Sequence, residues 1–221
     1  MKPLISSRED SGTLQDLGRA SVQIVHDLKN QLNGLKLYAT FLRKRLERSD
    51  RPDDEQETVN KLINGLDRAA NDLSTIVQYG REIELKTQPG FDLQKVLRGI
   101  SAELNLASVF DPEQPNLTGN FDPTQLTEAL KWISVGALKY QPASDDDDSL
   151  ILSVSRSERE GVPLAVVQWN GPREWDHDPF HSFVGSDEIR MSLAAKIIGA
   201  HGGSATHYGK SLVVTLPLGI D

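Results

Sequence analysis

Val25-His-Asp-Leu-Lys-Asn-Gln-Leu-Asn33 is the stretch on which the reading of this chain turns. Its apolar members, Val25, Leu28 and Leu32, are three and four residues apart, the period of a helix with one buried face. The same rhythm runs outward in both directions, from Leu14 through Gly18 and Ser21 to Leu35, Ala39, Leu42 and Leu46, so one long amphipathic helix is expected. Arg48–Asp54, with Pro52 and turn-forming acids, breaks it. The seam then restarts as Val59, Leu62, Leu66, Ala69, Leu73, Ile76, Gly80 and Ile83, which makes residues 14–88 an antiparallel helical hairpin after an N-terminal tail, residues 1–13. Ile24, Ile63, Ala70 and Val77 widen each apolar stripe beyond what two helices can bury, and pairing two hairpins as a dimeric four-helix bundle covers the excess.

After Gln88-Pro-Gly90 the texture changes, and residues 89–221 read as a second domain. Phe91–Leu106 is predicted as a helix, Leu117–Phe121 as a strand, and Pro123–Tyr140 as a helix capped by Asp122. A polar loop, Gln141–Ser149, carries the acidic run Asp145–Asp148, which reads as a solvated connector. Strands Leu150–Ser155 and Leu164–Gln168 flank a turn at Gly161, the loop Asn170–Gly185 follows, helix Ile189–His201 ends at Gly202-Gly203, and Ser211–Leu216 makes a last strand. The chain is therefore α+β, a helical hairpin followed by a two-layer sandwich.

Composition narrows the function. With 221 residues, 38% of them hydrophobic, the chain can bury a core, and the absence of Cys removes disulfides and thiolate metal sites and fits a reducing cytoplasm. A formal charge of −8 opposes nucleic-acid binding. No stretch approaches the ~18 apolar residues that a membrane span needs, so a cytoplasmic protein with protein partners is expected. His177 and His181 have zinc-like spacing, but Pro179 between them disfavours the helix such a site requires.

On the first helix, positions 26, 30, 33 and 37 form one stripe, displaced by one residue from the Val25 and Leu28 seam, which directs His26 to solvent. A neutral imidazole is nucleophilic near pH 7, and Asp27 beside it can orient the ring. Asn33, Leu37 and Phe41 continue the stripe as a docking surface for a partner, and packing of Leu37 and Phe41 against the second domain accounts for them equally well.

The stretch Val25–Asn33 resembles the phosphoacceptor box of bacterial sensor histidine kinases, with Gln31 where that family usually has Pro. The resemblance implies that His26 carries a phosphoryl group as a phosphoramidate that passes it on, that Asn30 positions that group and that Lys29 offsets its charge. The resemblance runs on through Phe91–Leu97, Asn120–Leu126, Ala194–Gly203 and Leu216-Pro-Leu218. It implies a kinase-type ATPase domain whose nucleotide residues are replaced. Two Asn positions one turn apart are Trp132 and Gly136; the adenine-reading Asp is Trp169, before Asn-Gly-Pro-Arg173; and the glycine turn that cradles phosphates is Glu188-Ile-Arg190-Met191. The expectation is a histidine phosphotransferase that relays phosphoryl groups through His26 between receiver domains of response regulators, as a homodimer. It has no cofactor or metal of its own, no ATP binding, and Mg²⁺ supplied by the receiver. Two alternatives stay open: a non-enzymatic pseudokinase that binds a regulator, and an atypical ATP-dependent histidine kinase.

Overall fold

The computed structural model of the chain describes residues 25, 28–44, 46, 53–110, 117–141 and 149–219. His26, Asp27, the N-terminal tail and the Asp145–Asp148 run lie outside these described residues. The chain divides into two compact units, Met1–Glu82 and Ile83–Asp221.

In the first unit, residues 28–44 form helix α1 and Asp53–Gly80 form helix α2. Lys36 of α1 reaches the Asp67 carboxylate of α2 at 2.5 Å. Ala39, Ile63, Ala70 and Val77 are buried, the last three at intervals of seven, so they make a single seam along α2. Thr40, Ser74 and Thr75 donate their hydroxyls to carbonyls one turn back, at 2.8, 2.7 and 3.0 Å, which satisfies these polar groups within their own helices. Ala39 belongs to the seam expected from the sequence, and Ile63, Ala70 and Val77 to its expected widening, but Leu28, Leu35, Leu42 and Leu62 of that seam are 44%, 53%, 53% and 51% exposed. Contact between two helices covers a narrow arc, and here the arc centres on the small Ala39 and Ala70, leaving a leucine row uncovered.

The second unit begins before the residue-88 boundary read from the sequence. The Lys86 amide donates to Asp122 Oδ2 at 2.8 Å, and Gln125 Nε2 donates to the Glu84 carbonyl at 2.7 Å, so this extended stretch is anchored there. Its elements are β1 (Gln88–Asp92), α3 (Leu93–Leu104), β2 (Ala107–Phe110), β3 (Thr118–Phe121), α4 (Pro123–Tyr140), β4 (Ile151–Arg159), β5 (Val162–Asn170), a 3₁₀ turn (Pro179–His181), α5 (Ser186–Ala200), β6 (Ser204–Tyr208) and β7 (Ser211–Pro217). Strands β1 and β3 pair alone; the main sheet has the order β2-β4-β5-β7-β6, parallel only between β2 and β4.

Strand alternation puts two rows on the inner face, Leu152–Trp169–Leu212 and Val154–Val167–Val214, all buried. The helices supply the other layer: Leu93, Leu97 and Ile100 of α3, Leu126, Leu130 and Ile133 of α4, and Leu193 and Ile198 of α5. Burying a Leu or Ile side chain stabilises by roughly 1.5–3 kcal/mol, so this double layer carries most of the unit's stability.

The helix expected over Phe91–Leu106 is shorter, and Phe91 belongs to a strand. Asp92 caps α3 by accepting from the Lys95 amide at 3.0 Å, which fixes the start at Leu93. Asn105, with φ 52°, closes the helix in the left-handed region. Phe91 packs its ring edge-on against Phe121, centroids 5.9 Å apart. Strands β2 and β6 were not expected; both are short and sit at the two edges of the sheet. The turn between β4 and β5 has positive φ at Glu160 and Gly161, the two-residue geometry that matches strand twist.

Candidate functional site

On α1 the described members of the expected phosphotransfer stripe, Asn30, Asn33, Leu37 and Phe41, are all exposed, with Leu37 at 54% and Phe41 at 59%. Their spacing places them on one face of the helix.

In the second unit, the residues at the replaced nucleotide positions have separate fates. Trp169 is fully buried, and its indole N–H donates to Ser134 Oγ at 2.9 Å, while Ser134 donates to the Leu130 carbonyl at 2.8 Å. Trp169 thus ties β5 to α4 as core. Gly136 is buried on α4, where an added Cβ would lie 2.3 Å from Met191 Sδ, so the α5 methionine fills the space that a longer side chain would need. Trp132 is half-buried on α4, and Arg173 is exposed, with its amide donating to Gln141 Oε1 at 2.8 Å.

Between α4 and α5 lies a cleft of about 200 Å³, walled by Gly136, Lys139 and Tyr140 on one side and Asp187, Glu188 and Met191 on the other, with Trp175 closing it. Lys139 Nζ reaches both carboxylate oxygens of Asp187, at 2.9 and 2.7 Å. Arg190, one turn along α5, approaches the same carboxylate at 3.6 Å. Glu188 lies so close over the start of its own helix that a Cβ on Gly185 would fall 2.6 Å from its Oε2. Tyr140 stacks on Trp175 with centroids 4.0 Å apart; its hydroxyl donates to the Glu174 carbonyl at 3.0 Å and accepts from the Asp176 amide at 2.9 Å. Burial pushes the Tyr140 pKa up, so the phenol stays protonated.

Gln141, fully buried at the end of α4, donates to the Lys210 carbonyl at 3.3 Å, and the Trp175 amide donates to the Gly209 carbonyl at 3.0 Å. These bonds fix the Asn170–Asp176 loop against the β6–β7 turn, which sets the position of Trp175 at the cleft.

At the other end of α4, Asp122 is a buried cap that accepts from the Thr124 and Gln125 amides at 3.0 and 2.9 Å. Burial of this carboxyl raises its pKa, but hydrogen bonds from Gln125, Lys86 and Thr124 outweigh it and hold the group below the usual carboxylate value. The Asp122 amide donates to His201 Nε2 at 3.0 Å, so the ring proton sits on Nδ1, which donates to the Ile197 carbonyl at 2.8 Å. Gly202, with φ +77°, then turns the chain out of α5.

Asp178 caps the 3₁₀ turn and meets His181 Nδ1 at 2.7 Å and His207 Nδ1 at 3.5 Å. Burial raises its pKa, and the Phe180 amide together with the two imidazoles reverses that and lowers it. His177 instead stands edge-on to Tyr140, so the two histidines with zinc-like spacing have different neighbours. Among the described residues no three His, Asp or Glu side chains are grouped to hold a metal ion, and no helix is long and apolar enough to cross a membrane.

Of the replaced nucleotide positions, Gly136, Glu188 and Met191 line the cleft, Arg190 touches its rim through Asp187, and Trp132, Trp169 and Arg173 are not among its walls. Sequence reasoning missed Lys139, Tyr140, Trp175 and Asp187. Lys139 and Tyr140 follow Gly136 by three and four residues on the same helix face, a signal that was available.

No family model matches the chain. It is 26% identical over 209 residues to the sensory histidine kinase/phosphatase NtrB of Azospirillum brasilense, covering 80% of this chain and 49% of that protein. The chain thus spans about half the length of the curated relative it matches. Among solved structures it is similar to full-length ShkA in complex with AMPPNP (TM-score 0.66, 19% identity, 90% of this chain and 45% of that one). It is also similar to the histidine kinase ThkA in complex with the response regulator TrrA (TM-score 0.57, 18% identity, 96% and 65%). A third match is the Acinetobacter baumannii histidine kinase AdeS (TM-score 0.54, 16% identity, 89% and 98%). The expectation that ATP binding is absent is overturned here: the similar ShkA structure is a complex with AMPPNP, and replaced motif residues are not sufficient ground to exclude a nucleotide. The chain is thus similar in sequence to a sensory histidine kinase/phosphatase and in fold to histidine kinases.

Proposed function

We propose that the chain is a histidine phosphotransfer protein of two-component signalling, in which His26 exchanges a phosphoryl group with the aspartyl phosphate of a response-regulator receiver domain. The observation that carries this reading is the exposed face of α1, where Asn30 and Asn33 lead from the His26 position to the uncovered apolar pair Leu37 and Phe41. Polar groups beside the acceptor and an apolar patch in line with it are what a docked receiver needs. In the transfer, Nε2 of neutral His26 attacks phosphorus, the P–N bond forms as the P–O bond to the receiver aspartate breaks, and the aspartate leaves as carboxylate. Asp27 accepts from Nδ1–H and stabilises the imidazolium that develops, and Asn30 positions the phosphoryl oxygens. The complex of ThkA with TrrA supports a response regulator as partner.

The uncovered row Leu28, Leu35, Leu42 and Leu62 supports a homodimer, since four leucines about half exposed along one helix pair form a patch that water does not favour. Pairing two hairpins into a four-helix bundle covers it. Residues 14–88 are then the dimerisation and phosphotransfer part, and residues 89–221 the ATPase-like part.

A second reading is favoured by the AMPPNP complex of ShkA: an atypical kinase in which nucleotide occupies the α4–α5 cleft and phosphorylates His26. Both readings share the acceptor and differ in the donor. Incubation of purified protein with a ³²P-labelled receiver, and separately with γ-³²P-ATP, separates them. Label from the receiver supports the first, label from ATP the second, and no label on the wild type from either donor defeats both.

A further inference from the structure

We propose that Asp187 is an internal stand-in for a ligand phosphate, an autoinhibitory contact that occupies Lys139 and Arg190 and closes the α4–α5 cleft to polyphosphate nucleotides until it is displaced. The inference rests on the second reading above, that nucleotide enters this cleft. Lys139 is the cation among the cleft's walls, and both of its contacts at 2.9 and 2.7 Å go to the one carboxylate. Arg190 approaches the same carboxylate at 3.6 Å. A carboxylate gripped by an ammonium and a guanidinium has the charge arrangement of a bound phosphate oxygen pair.

The pair also bridges the two walls, because Lys139 stands on α4 and Asp187 in the first turn of α5. With it closed, the cleft of about 200 Å³ falls below the ~300–1,000 Å³ usual for small-molecule sites. A phosphate chain would have to replace Asp187 at Lys139, take over Arg190, and leave the displaced carboxylate in water. Lys139 is largely exposed, so the contact is weak enough to exchange.

The test is titration of AMPPNP with Mg²⁺ into the full chain and its Asp187→Asn, Lys139→Ala and double variants, read by calorimetry, with circular dichroism to verify folding. The gate predicts that Asp187→Asn binds about two- to fivefold more tightly than the wild type, and that the double variant loses this gain. A contact that is merely structural would leave the affinity unchanged or lower it. Wild-type binding with no gain in Asp187→Asn overturns the gate and leaves the nucleotide reading standing. No binding by the folded wild type or any folded variant overturns the nucleotide reading and the gate with it. Should Asp187→Asn fail to fold, Asp187→Ser is the replacement, because Ser is itself tolerated in the first turn of a helix.

Discussion

At the residue scale, Asp122 connects three elements through one carboxylate: it caps α4 and holds the Lys86 amide, while its own amide rests on His201. Asp122→Ala should lower stability by about 1–2 kcal/mol, the usual cost of a lost cap, measured by chemical denaturation. The pH dependence has a definite sign. The folded-state pKa lies below the ordinary value, so the stabilisation is complete above about pH 4 and is lost as pH falls through the depressed folded value. Between neutral pH and pH 5 the difference between Asp122→Asn and the wild type should therefore stay constant, and it should shrink below pH 4. Trp169 makes a second residue-scale case. Trp169→Phe removes the indole donor to buried Ser134 and should cost about 1–3 kcal/mol, checked by thermal unfolding. What sequence inspection saw there, a bulky apolar group in place of a polar one, was legible; its hydrogen bond to α4 was not, because Ser134 is 35 residues away in the chain.

Elements with a strong period were readable, and those without one were not. Helix α4 declared itself through its Asp122 cap and Pro123, and β7 through its alternation. Strand β2 has four residues, three of them exposed, so it shows no alternation and exists through pairing with β4. Along α2 the period was right and the buried face was offset by one position, because which side of a wide apolar arc faces the partner helix depends on where alanines permit close approach. The Lys36–Asp67 pair between these helices is about 40% exposed at both ends, so Lys36→Ala should change stability by no more than about 0.5 kcal/mol. The α4–α5 contact is different. Gly136→Ala drives a methyl into buried Met191 and should cost about 1–3 kcal/mol, with part of that loss recovered in Gly136→Ala/Met191→Ala, as a double-mutant cycle would register.

For the whole molecule, the uncovered leucine row and the Leu37–Phe41 pair predict two separable surfaces. Leu35→Glu should convert a dimer to a monomer in light scattering. Leu37→Ala with Phe41→Ala should leave the dimer intact and weaken receiver binding about tenfold or more. The donor in the proposed phosphoryl transfer was the part least legible in the sequence. Replaced motif positions argued against a nucleotide, while the similar ShkA structure is a complex with AMPPNP. Motif residues report one way of holding a ligand, and the cleft is built from neighbours such as Lys139 and Asp187 that the motifs do not include.

The most direct test of the central claim is transfer from a purified, phosphorylated receiver domain to the full chain, followed by ³¹P NMR and mass-spectrometric mapping of the modified residue. The account predicts an acid-labile phosphoramidate on His26, loss of the receiver's phosphate in equal amount, and no transfer to His26→Gln. Transfer that persists in folded His26→Gln, or a wild-type chain left unmodified by every receiver of the same cell, would contradict it.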